Sequence, residues 1–474
     1  MNATLVRRLL FPAYEWALGR STLALLEQLE SSQHLATPAI RSLQRDGLHQ
    51  LVGHARRAIP YWRERLSRLP EKWPDDPATA LAAVPVLTRA EIVRDRERMR
   101  WPDAPGKVLV HRSGGTTDDN LTFYWSRTRQ SWDRAMRYRG LARQGIRPGD
   151  RVLHLWPRYP RRTWAGRVKE WLRDLRDRLI NDEVFDLRPL DPAQLQAGLA
   201  TIRRYRPAAL IGYPSWLTAL AEHIRNHEPH FRLAGLRRIL STGEVLFGFQ
   251  RRTIEETFQA PVFVEYGSQD SGLIAHEDEN GRFRLNAEQM IVEVLRNGAP
   301  ATPGQLGEVV VTHFYTEVMP FIRYATGDVV RQPAPDEEDR PTQGLPTFPT
   351  PEGRTSDLLV DVAGELHPPR PVIDALVEQV GYREFSLFQP LPEEVTVLEV
   401  AGRNPAGRRS EIEAVLRSFL GRSLRVGWES GAGFRPLTSG KRRFTCSPVA
   451  LERIAHDQES GLRHSRAWRQ RLLP

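Results

Sequence analysis

Short apolar runs alternate with helical patterns between residues 151 and 265 of this 474-residue chain, and that alternation restricts the fold more than any other feature. Runs of strand length stand at Arg151–Trp156, Ala208–Gly212, Arg238–Ser241 and Val262–Glu265. Helical patterns stand between them at Ala193–Tyr205 and Ser215–His227, and another begins near Phe247. Buried strands joined by helices are typical of a mostly parallel sheet with helices on both faces. We therefore expect an α/β fold.

The pattern changes after residue 282, where β-rich runs are separated by turn dipeptides. The runs are Met290–Leu295 and Gly307–Thr312, and the turns are Asn297-Gly298 and Pro303-Gly304. Such turns favour antiparallel pairing, so we expect a β-rich subdomain over 282–350. Its last part, Gln332–Thr350, is rich in Pro, Thr and acidic residues and is expected to be an exposed loop.

Helices and strands alternate again after Gly353. A chain of this length exceeds what one hydrophobic core usually serves. We predict a large multi-layer N-terminal domain, residues 1–353, and a small α+β C-terminal domain, residues 354–474.

Local signals predict two helix boundaries. Thr88 with Glu91 three residues later is typical of a capping box that opens a helix. Gly140 is predicted to close a helix that runs from Ser131, because glycine commonly follows the last helical turn.

Composition limits the class of protein. The net charge of +10 favours anionic partners, but no nucleic-acid-binding module is legible, so we expect no nucleic-acid partner. The single cysteine, Cys446, excludes an internal disulfide and a zinc site built mainly from cysteine. No apolar run approaches the length that spans a bilayer. We expect a cytoplasmic protein.

Glycine-containing polar turns follow apolar runs at several places along the chain. The first, Ser113-Gly114-Gly115-Thr116-Thr117, combines backbone amides free of Cβ obstruction with three hydroxyls, which suits an anion such as phosphate, although such clusters also form plain hairpin turns. Later turns are Ser241–Glu244, Tyr266–Asp270, Tyr324–Asp328, Gly353–Asp357 and Ser439–Arg443. In open α/β sheets, ligands bind outside the carboxyl ends of strands, where most of these turns are expected.

These turns, in this order, resemble those of the adenylate-forming enzymes, in the branch of phenylacetate–CoA ligase and the CapK-like proteins linked to polysaccharide biosynthesis. Further similar stretches are Ala55–Arg63, Gly212–Ser215 and Ile291–Asp328. The resemblance covers nearly the whole chain and implies a large domain that binds ATP and a carboxylic acid, and a small mobile domain that carries a catalytic lysine.

The resemblance also implies roles for individual residues. Those expected to contact the nucleotide are Ser113, Gly115, Thr116 and Thr117 at the β- and γ-phosphates, Gly243, Glu244 and Tyr266 around the adenine, and Asp328 at the ribose hydroxyls. Arg354, Gly114, Gly267 and Ser268 are expected to bind the same nucleotide. Lys441 matches the lysine that bridges the carboxylate and the α-phosphate, and Thr117 is assigned to catalysis with it. Asp270 falls where the family has a magnesium-associated glutamate, and Ser356 and Asp357 fall at the interdomain hinge.

The reaction implied by the resemblance is activation of a carboxylic acid by ATP and Mg²⁺ as an acyl-adenylate, followed by transfer to CoA. An amine or hydroxyl acceptor stays open, which would make the product an amide or an ester. The chain differs from the family's usual pattern at Asp118, Asp119, Asn120, Gln269 and Asp270, so a degenerate member acting as a binding protein is the further alternative. Tyr213 and Trp216 suggest an aromatic-lined acid pocket.

One helical pattern, Trp164–Leu179, has an apolar stripe surrounded by arginine and lysine. Such a helix fits a peripheral contact with an anionic membrane surface. The alternative is a helix that covers the active site or packs its stripe on the sheet, with solvated arginines.

Overall fold

The computed structural model describes residues 1–67, 69, 74, 76–112, 121–159, 163–334, 344–400, 407–431 and 440–454. The elements described among the first hundred residues are helices. Thr88 and Glu91 form the expected capping box: the Thr88 hydroxyl accepts from the Glu91 amide at 3.3 Å, and a Glu91 carboxylate oxygen accepts from the Thr88 amide at 2.9 Å. The helices of this region are α1 Ala3–Leu5, a π-helix Val6–Leu10, α2 Phe11–Ala17, α3 Thr22–Ser32, α4 Thr37–Ala58, α5 Pro60–Arg65, α6 Pro77–Ala82 and α7 Arg89–Met99.

The central part of the chain alternates strands with helices, in agreement with the expected α/β fold. Its elements are β1 Leu109–Arg112, β2 Thr122–Trp125, α8 Arg127–Arg143, β3 Val152–Leu155, α9 Trp164–Leu179, β4 Asp182–Phe185, α10 Pro192–Tyr205, β5 Ala209–Gly212, α11 Pro214–His227, β6 Arg238–Thr242, α12 Gly248–Phe258, β7 Val262–Ser268, β8 Gly272–Glu277 and β9 Phe283–Leu285.

The remaining elements follow in two further groups. Those up to residue 354 are β10 Met290–Arg296, β11 Ala299–Pro300, β12 Leu306–His313, β13 Phe321–Arg331, β14 Thr347–Phe348 and β15 Pro351–Arg354. Those after it are a 3₁₀ turn Thr355–Asp357, β16 Leu359–Val360, β17 Leu366–His367, α13 Pro369–Val380, β18 Phe385–Leu391, β19 Glu394–Val400, α14 Arg409–Leu420, β20 Arg425–Gly431, β21 Thr445–Cys446 and α15 Pro448–Ile454.

The largest sheet has the strand order β14-β9-β8-β7-β6-β5-β3-β4, in which β7 to β4 are parallel and β7 to β14 antiparallel. One face packs on α10, α11 and α12 through a core that includes Leu210, Leu217 and Ile254. The other face packs on α8 through a core that includes Leu141 and Ile211. The expected sheet with helices on both faces is therefore present.

The second sheet is antiparallel, with the order β11-β10-β12-β13-β15. The range predicted to be β-rich contributes to both sheets, because β9 and β14 join the large one. The expectation of an exposed loop up to Thr350 is wrong for its last residues, since Leu345 and Phe348 are buried. They fill the core between the two sheets.

The C-terminal part forms a separate sheet, β20-β19-β18-β21, packed on α13 and α14. Its last strand, β21, pairs with β18 in parallel, with Leu387 opposite Thr445. This pairing fixes the segment that follows Lys441. The predicted boundary between the N-terminal and C-terminal domains, between residues 353 and 354, stays a prediction.

The prediction that Gly140 ends a helix is wrong, because α8 continues to Arg143. A Cβ atom at Gly140 would lie 2.3 Å from Cδ2 of the buried His276. The glycine therefore permits a close approach between helix and sheet. Among the helices within the described ranges, none has the length and apolarity required to cross a bilayer.

Candidate active site

Three predicted stretches meet at the carboxyl edge of the large sheet. Strands β5, β6 and β7 are parallel neighbours, with Gly212 opposite Ser241 and Thr242 opposite Glu265. Parallel strands end at the same edge, so the residues that follow them come together. These residues are Tyr213 and Ser215 after β5, Gly243 and Glu244 after β6, and Tyr266, Gly267 and Ser268 at the end of β7.

Gly243 has a conformation that the site requires. Its φ is +83°, and an added Cβ would lie 2.8 Å from the Tyr213 ring and 3.4 Å from Cε of Lys441. A side chain at this position would therefore push on both the aromatic ring and the lysine.

Glu244 joins the large sheet to the C-terminal segment. One carboxylate oxygen accepts from the Ser215 amide at 3.0 Å, and the other accepts from the Ser215 hydroxyl at 2.9 Å and the Arg442 amide at 2.9 Å. Burial raises the pKa of Glu244, and the bonds from Ser215 and Arg442 oppose that rise. The carboxylate thus spans the start of α11 and the residue next to Lys441.

Lys441 lies against the edge of the sheet. Its Nζ is 5.4 Å from the centre of the Tyr213 ring, within the range of a cation–π contact. The preceding residue is held too, because the Trp216 indole donates to the Gly440 carbonyl at 3.0 Å. Trp216 is fully buried and Tyr213 nearly so, and Tyr213 also packs on Trp156 at a ring distance of 4.5 Å.

Asp328 and Arg354 are brought together by strand pairing, since they lie opposite each other on β13 and β15. Nε of Arg354 is 3.8 Å from a carboxylate oxygen of Asp328. The Tyr266 hydroxyl donates to the other oxygen at 3.1 Å, and the Tyr266 ring stacks on Phe348 at 5.5 Å. Burial raises the pKa of Asp328, while Arg354 and Tyr266 oppose that rise.

Asp270 is 8% exposed and is held by polar neighbours. One carboxylate oxygen accepts from the Tyr324 hydroxyl at 2.8 Å; the other accepts from the Ser268 hydroxyl and, at 3.2 Å, from the Ser271 amide. Burial and the nearby Asp270 carboxylate raise the pKa of Tyr324, so its hydroxyl keeps its proton and donates.

The predicted hinge residues contact the segment that carries Lys441. The Arg443 guanidinium donates to the Ser356 hydroxyl at 2.6 Å and forms an ion pair with the Asp357 carboxylate. The Thr445 hydroxyl donates to the Asp357 carbonyl at 2.7 Å, and the Ser447 amide donates to the Ser356 carbonyl at 2.7 Å. The hinge and the lysine segment are therefore joined by side chains and backbone alike.

The predicted charged residues converge on Lys441. Burial lowers the pKa of its ammonium; Glu244 raises it, Arg354 lowers it, and Asp328 and Asp270 raise it. Charges in a buried site are weakly screened, so these side chains act on the ammonium without having to touch it. Residues from separate turns of the sequence thus influence one amine electrostatically.

The predicted phosphate loop, Ser113 to Thr117, lies outside the described residues, as do Asp118, Asp119 and Asn120. The strands on either side of it, β1 and β2, pair in antiparallel fashion, with Arg112 opposite Thr122.

Sequence reasoning missed several side chains of the site. Phe348 lies far from Tyr266 in the sequence, and Arg443 reaches back to the hinge from beside the lysine. Thr326 accepts from the Asp328 amide with its hydroxyl and from Arg354 with its carbonyl. Of these, Thr326 and Arg443 had a signal, since each lies within one of the predicted turns.

The residues present fit a nucleotide better than they fit a metal ion. Asp328 offers acceptors to hydroxyl groups, and Lys441 and Arg354 offer charge to phosphates. Within the described ranges no cluster of three or more His, Cys, Asp or Glu could hold a metal. Asp270 accepts three hydrogen bonds, so it could add about one oxygen contact to a magnesium ion otherwise held by phosphates.

No protein-family model matches the chain. Protein CapK of Staphylococcus aureus is 24% identical over 151 residues, which are 32% of this chain and 32% of CapK. The match thus spans about a third of that protein's length. The phenylacetate–coenzyme A ligase of Pseudomonas putida is 25% identical over 322 residues, 65% of this chain and 69% of the ligase.

Solved structures of similar shape cover more of the chain. 2-Hydroxyisobutyryl-CoA ligase, in the postadenylation state with R3-HIB-AMP, superposes with a TM-score of 0.66 over 89% of this chain and 91% of the ligase, at 18% identity. The amide bond synthetase McbA of Marinactinospora thermotolerans superposes with a TM-score of 0.51 over 72% of this chain and 68% of the synthetase, at 21% identity. The chain therefore has the two-domain fold of the adenylate-forming enzymes, as the sequence resemblance predicted.

Proposed function

We propose that this protein is an ATP-dependent, AMP-forming ligase that activates a carboxylic acid as an acyl-adenylate and then transfers the acyl group to CoA. The observation that carries the proposal is the position of Lys441 at the carboxyl edge of the large sheet, where its Nζ is 5.4 Å from the centre of the Tyr213 ring and Glu244 accepts from the adjacent Arg442 amide at 2.9 Å. The fold and the similarity to phenylacetate–CoA ligase support the same reaction.

In this proposal Asp328 accepts hydrogen bonds from the ribose hydroxyls, because an ionised carboxylate offers acceptors only. Arg354 beside it carries the positive charge that a phosphate group needs. Tyr266, Gly243 and the backbone around Ser268 surround the adenine. Phe348 keeps the Tyr266 ring in place by stacking on it.

The first half-reaction joins two anions. A carboxylate oxygen attacks the α-phosphorus of ATP, the new C–O–P bond forms, and the bond from the α-phosphorus to the bridging oxygen breaks to release pyrophosphate. Lys441 offsets the repulsion by donating to the carboxylate and to an α-phosphate oxygen. Magnesium, when bound, supplies charge neutralisation at the phosphates.

The second half-reaction moves the acyl group to sulfur. The CoA thiol attacks the acyl carbon, a C–S bond forms, the bond to the AMP oxygen breaks, and the thiol proton leaves to solvent. In the proposed two-domain division, the C-terminal domain withdraws Lys441 by rotating at Ser356 and Asp357 before CoA enters. Keeping the mixed anhydride away from water until then is a reason for such a motion.

Lys441→Ala tests the assignment. With a substrate acid and MgATP, we expect the variant to lose pyrophosphate release by at least about a hundredfold, since the bridging cation is gone. It should still form thioester from supplied acyl-adenylate and CoA. The exposed Lys169→Ala is the matched control and should keep both activities. Pyrophosphate release that survives in Lys441→Ala would contradict the proposed role.

The acid is to be identified by trapping. A hydroxylamine screen of aromatic, aliphatic and amino acids with MgATP reports any acyl-adenylate formed. The rings of Tyr213 and Trp216 are buried. They would favour an aromatic acid if the acid pocket reaches these rings.

An amide-forming ligase is the second candidate, and the similarity in fold to the amide bond synthetase McbA favours it. Supplying the trapped acid with CoA and with a panel of amines in parallel separates the two, because only the true acceptor raises AMP release above hydrolysis. An ester-forming ligase is tested by a panel of alcohols in the same assay.

A binding protein without turnover is the remaining alternative. Its basis is Gln269 and Asp270 in place of the usual residues and the three hydrogen bonds that Asp270 accepts. Calorimetry with MgATP discriminates, since absence of nucleotide binding contradicts the ligase proposal.

A further inference from the structure

Helix α9, Trp164–Leu179, turns its apolar side chains outward. Trp164 is 74% exposed and Trp171 63%, and Leu172, Leu175 and Leu179 are 44–51% exposed. The buried residue of the helix is Gly166. The stripe therefore does not pack on the sheet, and that expectation is wrong.

The inward side of the same helix is acidic. Glu170, Asp174 and Asp177, spaced as one helical face, are partly buried. Asp174 receives a hydrogen bond from the Arg158 guanidinium at 2.7 Å. A polar cavity of about 410 Å³, lined by Arg158, Asp174 and Asp177 among others, lies beneath the helix. The Arg158–Asp174 ion pair thus joins the acidic face of α9 to the segment that follows β3.

The outward side consequently carries charge of one sign. Arg167, Lys169, Arg173 and Arg178 are exposed between the apolar residues. This is the reverse of an ordinary surface helix, which buries its apolar stripe and solvates its charges of both signs.

The N-terminal helices add to this surface. Leu5, Leu9 and Trp16, at helical spacing, are 46%, 62% and 83% exposed. The two regions adjoin, because the Arg176 guanidinium lies 5.3 Å from the Tyr14 ring and the amino terminus donates to Asn181 at 3.0 Å. Nine of the sixteen exposed large apolar side chains found in the described part of the chain lie in residues 1–16 and 164–179.

We propose that these two segments form a membrane-binding surface that rests on bilayers containing anionic lipid. Tryptophan and leucine would enter the headgroup region while arginine and lysine meet the lipid phosphates. A second copy of the chain fits less well. A two-fold contact would place the cations of α9 against each other, and no acidic side chain of α9 lies fully outward to offset them.

Co-sedimentation with vesicles tests the proposal. We expect the full chain to bind vesicles of phosphatidylcholine with about 30% phosphatidylglycerol, to bind neutral vesicles much more weakly, and to release as salt rises. Trp171→Glu/Leu175→Glu and Arg167→Glu/Lys169→Glu should each lower the partition coefficient by roughly tenfold or more. Val93→Glu replaces an exposed apolar residue on α7 and should bind as the parent does.

Thermal unfolding and sedimentation velocity complete the test. All variants should unfold at the parent's temperature, because the substituted side chains are exposed. Equal binding to neutral and anionic vesicles, or none to either, overturns the proposal. So does a stable dimer that Trp171→Glu/Leu175→Glu dissociates, because the apolar stripe would then belong to a contact between copies.

Discussion

At the scale of residues, a buried carboxylate beneath the site is neutralised by a hydrogen-bonded ion pair. Glu265 is 2% exposed and accepts two hydrogen bonds from Arg137, at 2.9 and 2.7 Å, on the strand that ends in the predicted adenine-side residues. Burial alone would raise the pKa of Glu265, but Arg137 and His276 outweigh it and hold that pKa well below its usual value. The pair fixes β7 just before Tyr266.

Glu265→Gln should lower the free energy of unfolding at pH 7 by about 1–3 kcal/mol, a range that allows for the partly exposed Arg137. Because the folded-state pKa of Glu265 is depressed, its contribution is complete above the usual value of 4.5 and is lost as the pH falls through the folded-state value. The gap between parent and variant should therefore be constant from pH 7 to about 5 and narrow below that, as measured by urea unfolding. The exposed Glu279→Gln is the control, and an equal effect there would contradict the pairing argument.

Some residues of the candidate site could be predicted from the sequence and others could not. Gly243 and Asp328 lie in turns whose composition already suggested a ligand; the structure places Gly243 beside Lys441 and Asp328 beside Arg354 and Tyr266. The contact of Phe348 with Tyr266 had no such signal, because it depends on how β14 joins β9 across a long separation in sequence. The contact between Phe348 and Tyr266 could therefore not be predicted from the sequence.

At the scale of elements, α8 and the large sheet meet at a glycine. Gly140→Ala should destabilise the protein by about 1–3 kcal/mol, although alanine is the better helix former, because its Cβ would fall 2.3 Å from the His276 ring. The measurement is the midpoint of urea unfolding.

Gly53→Ala, within α4, is the matched control. Its Cβ would meet the flexible end of Arg57 at 3.3 Å, so we expect a gain of up to about 1 kcal/mol from helix propensity. A Gly140→Ala protein as stable as the parent would show that the sheet can move away from the helix.

The elements were predictable where periodicity and burial agree. The parallel strands β3, β5, β6 and β7 are apolar runs between helices, and each was expected close to its observed bounds. Strand β4 was not, because its sequence Asp182–Phe185 is half acidic and lies at the sheet edge. The orientation of α9 was not predictable either, since an apolar stripe marks a face without saying what covers it.

At the scale of the whole molecule, the two proposed domains meet through Gly440, whose φ is +77°. An added Cβ would lie 2.9 Å from the Trp216 ring. Gly440→Ala should therefore disfavour the arrangement in which Lys441 reaches the site, and we expect pyrophosphate release to fall on the order of tenfold.

Gly381→Ala is the control for Gly440→Ala, because it distinguishes backbone strain from the steric clash with Trp216. Gly381 has a φ of +75° but no atoms within 4 Å of an added Cβ, so it shares the backbone cost without the clash. Thioester formation from supplied acyl-adenylate should change little in Gly440→Ala. If both half-reactions fall equally, the contact with Trp216 is not specific to the adenylating arrangement.

Arg443 couples the lysine segment to the proposed pivot. It follows Lys441 by two residues and is buried against Ser356 and Asp357, so the lysine segment and the pivot share one ion pair. All of these residues lie in the proposed small domain, so a rotation at the pivot would move the lysine segment without breaking the pair. The pair would then act as a rigid link, and a small turn at the pivot would displace the lysine segment as a whole.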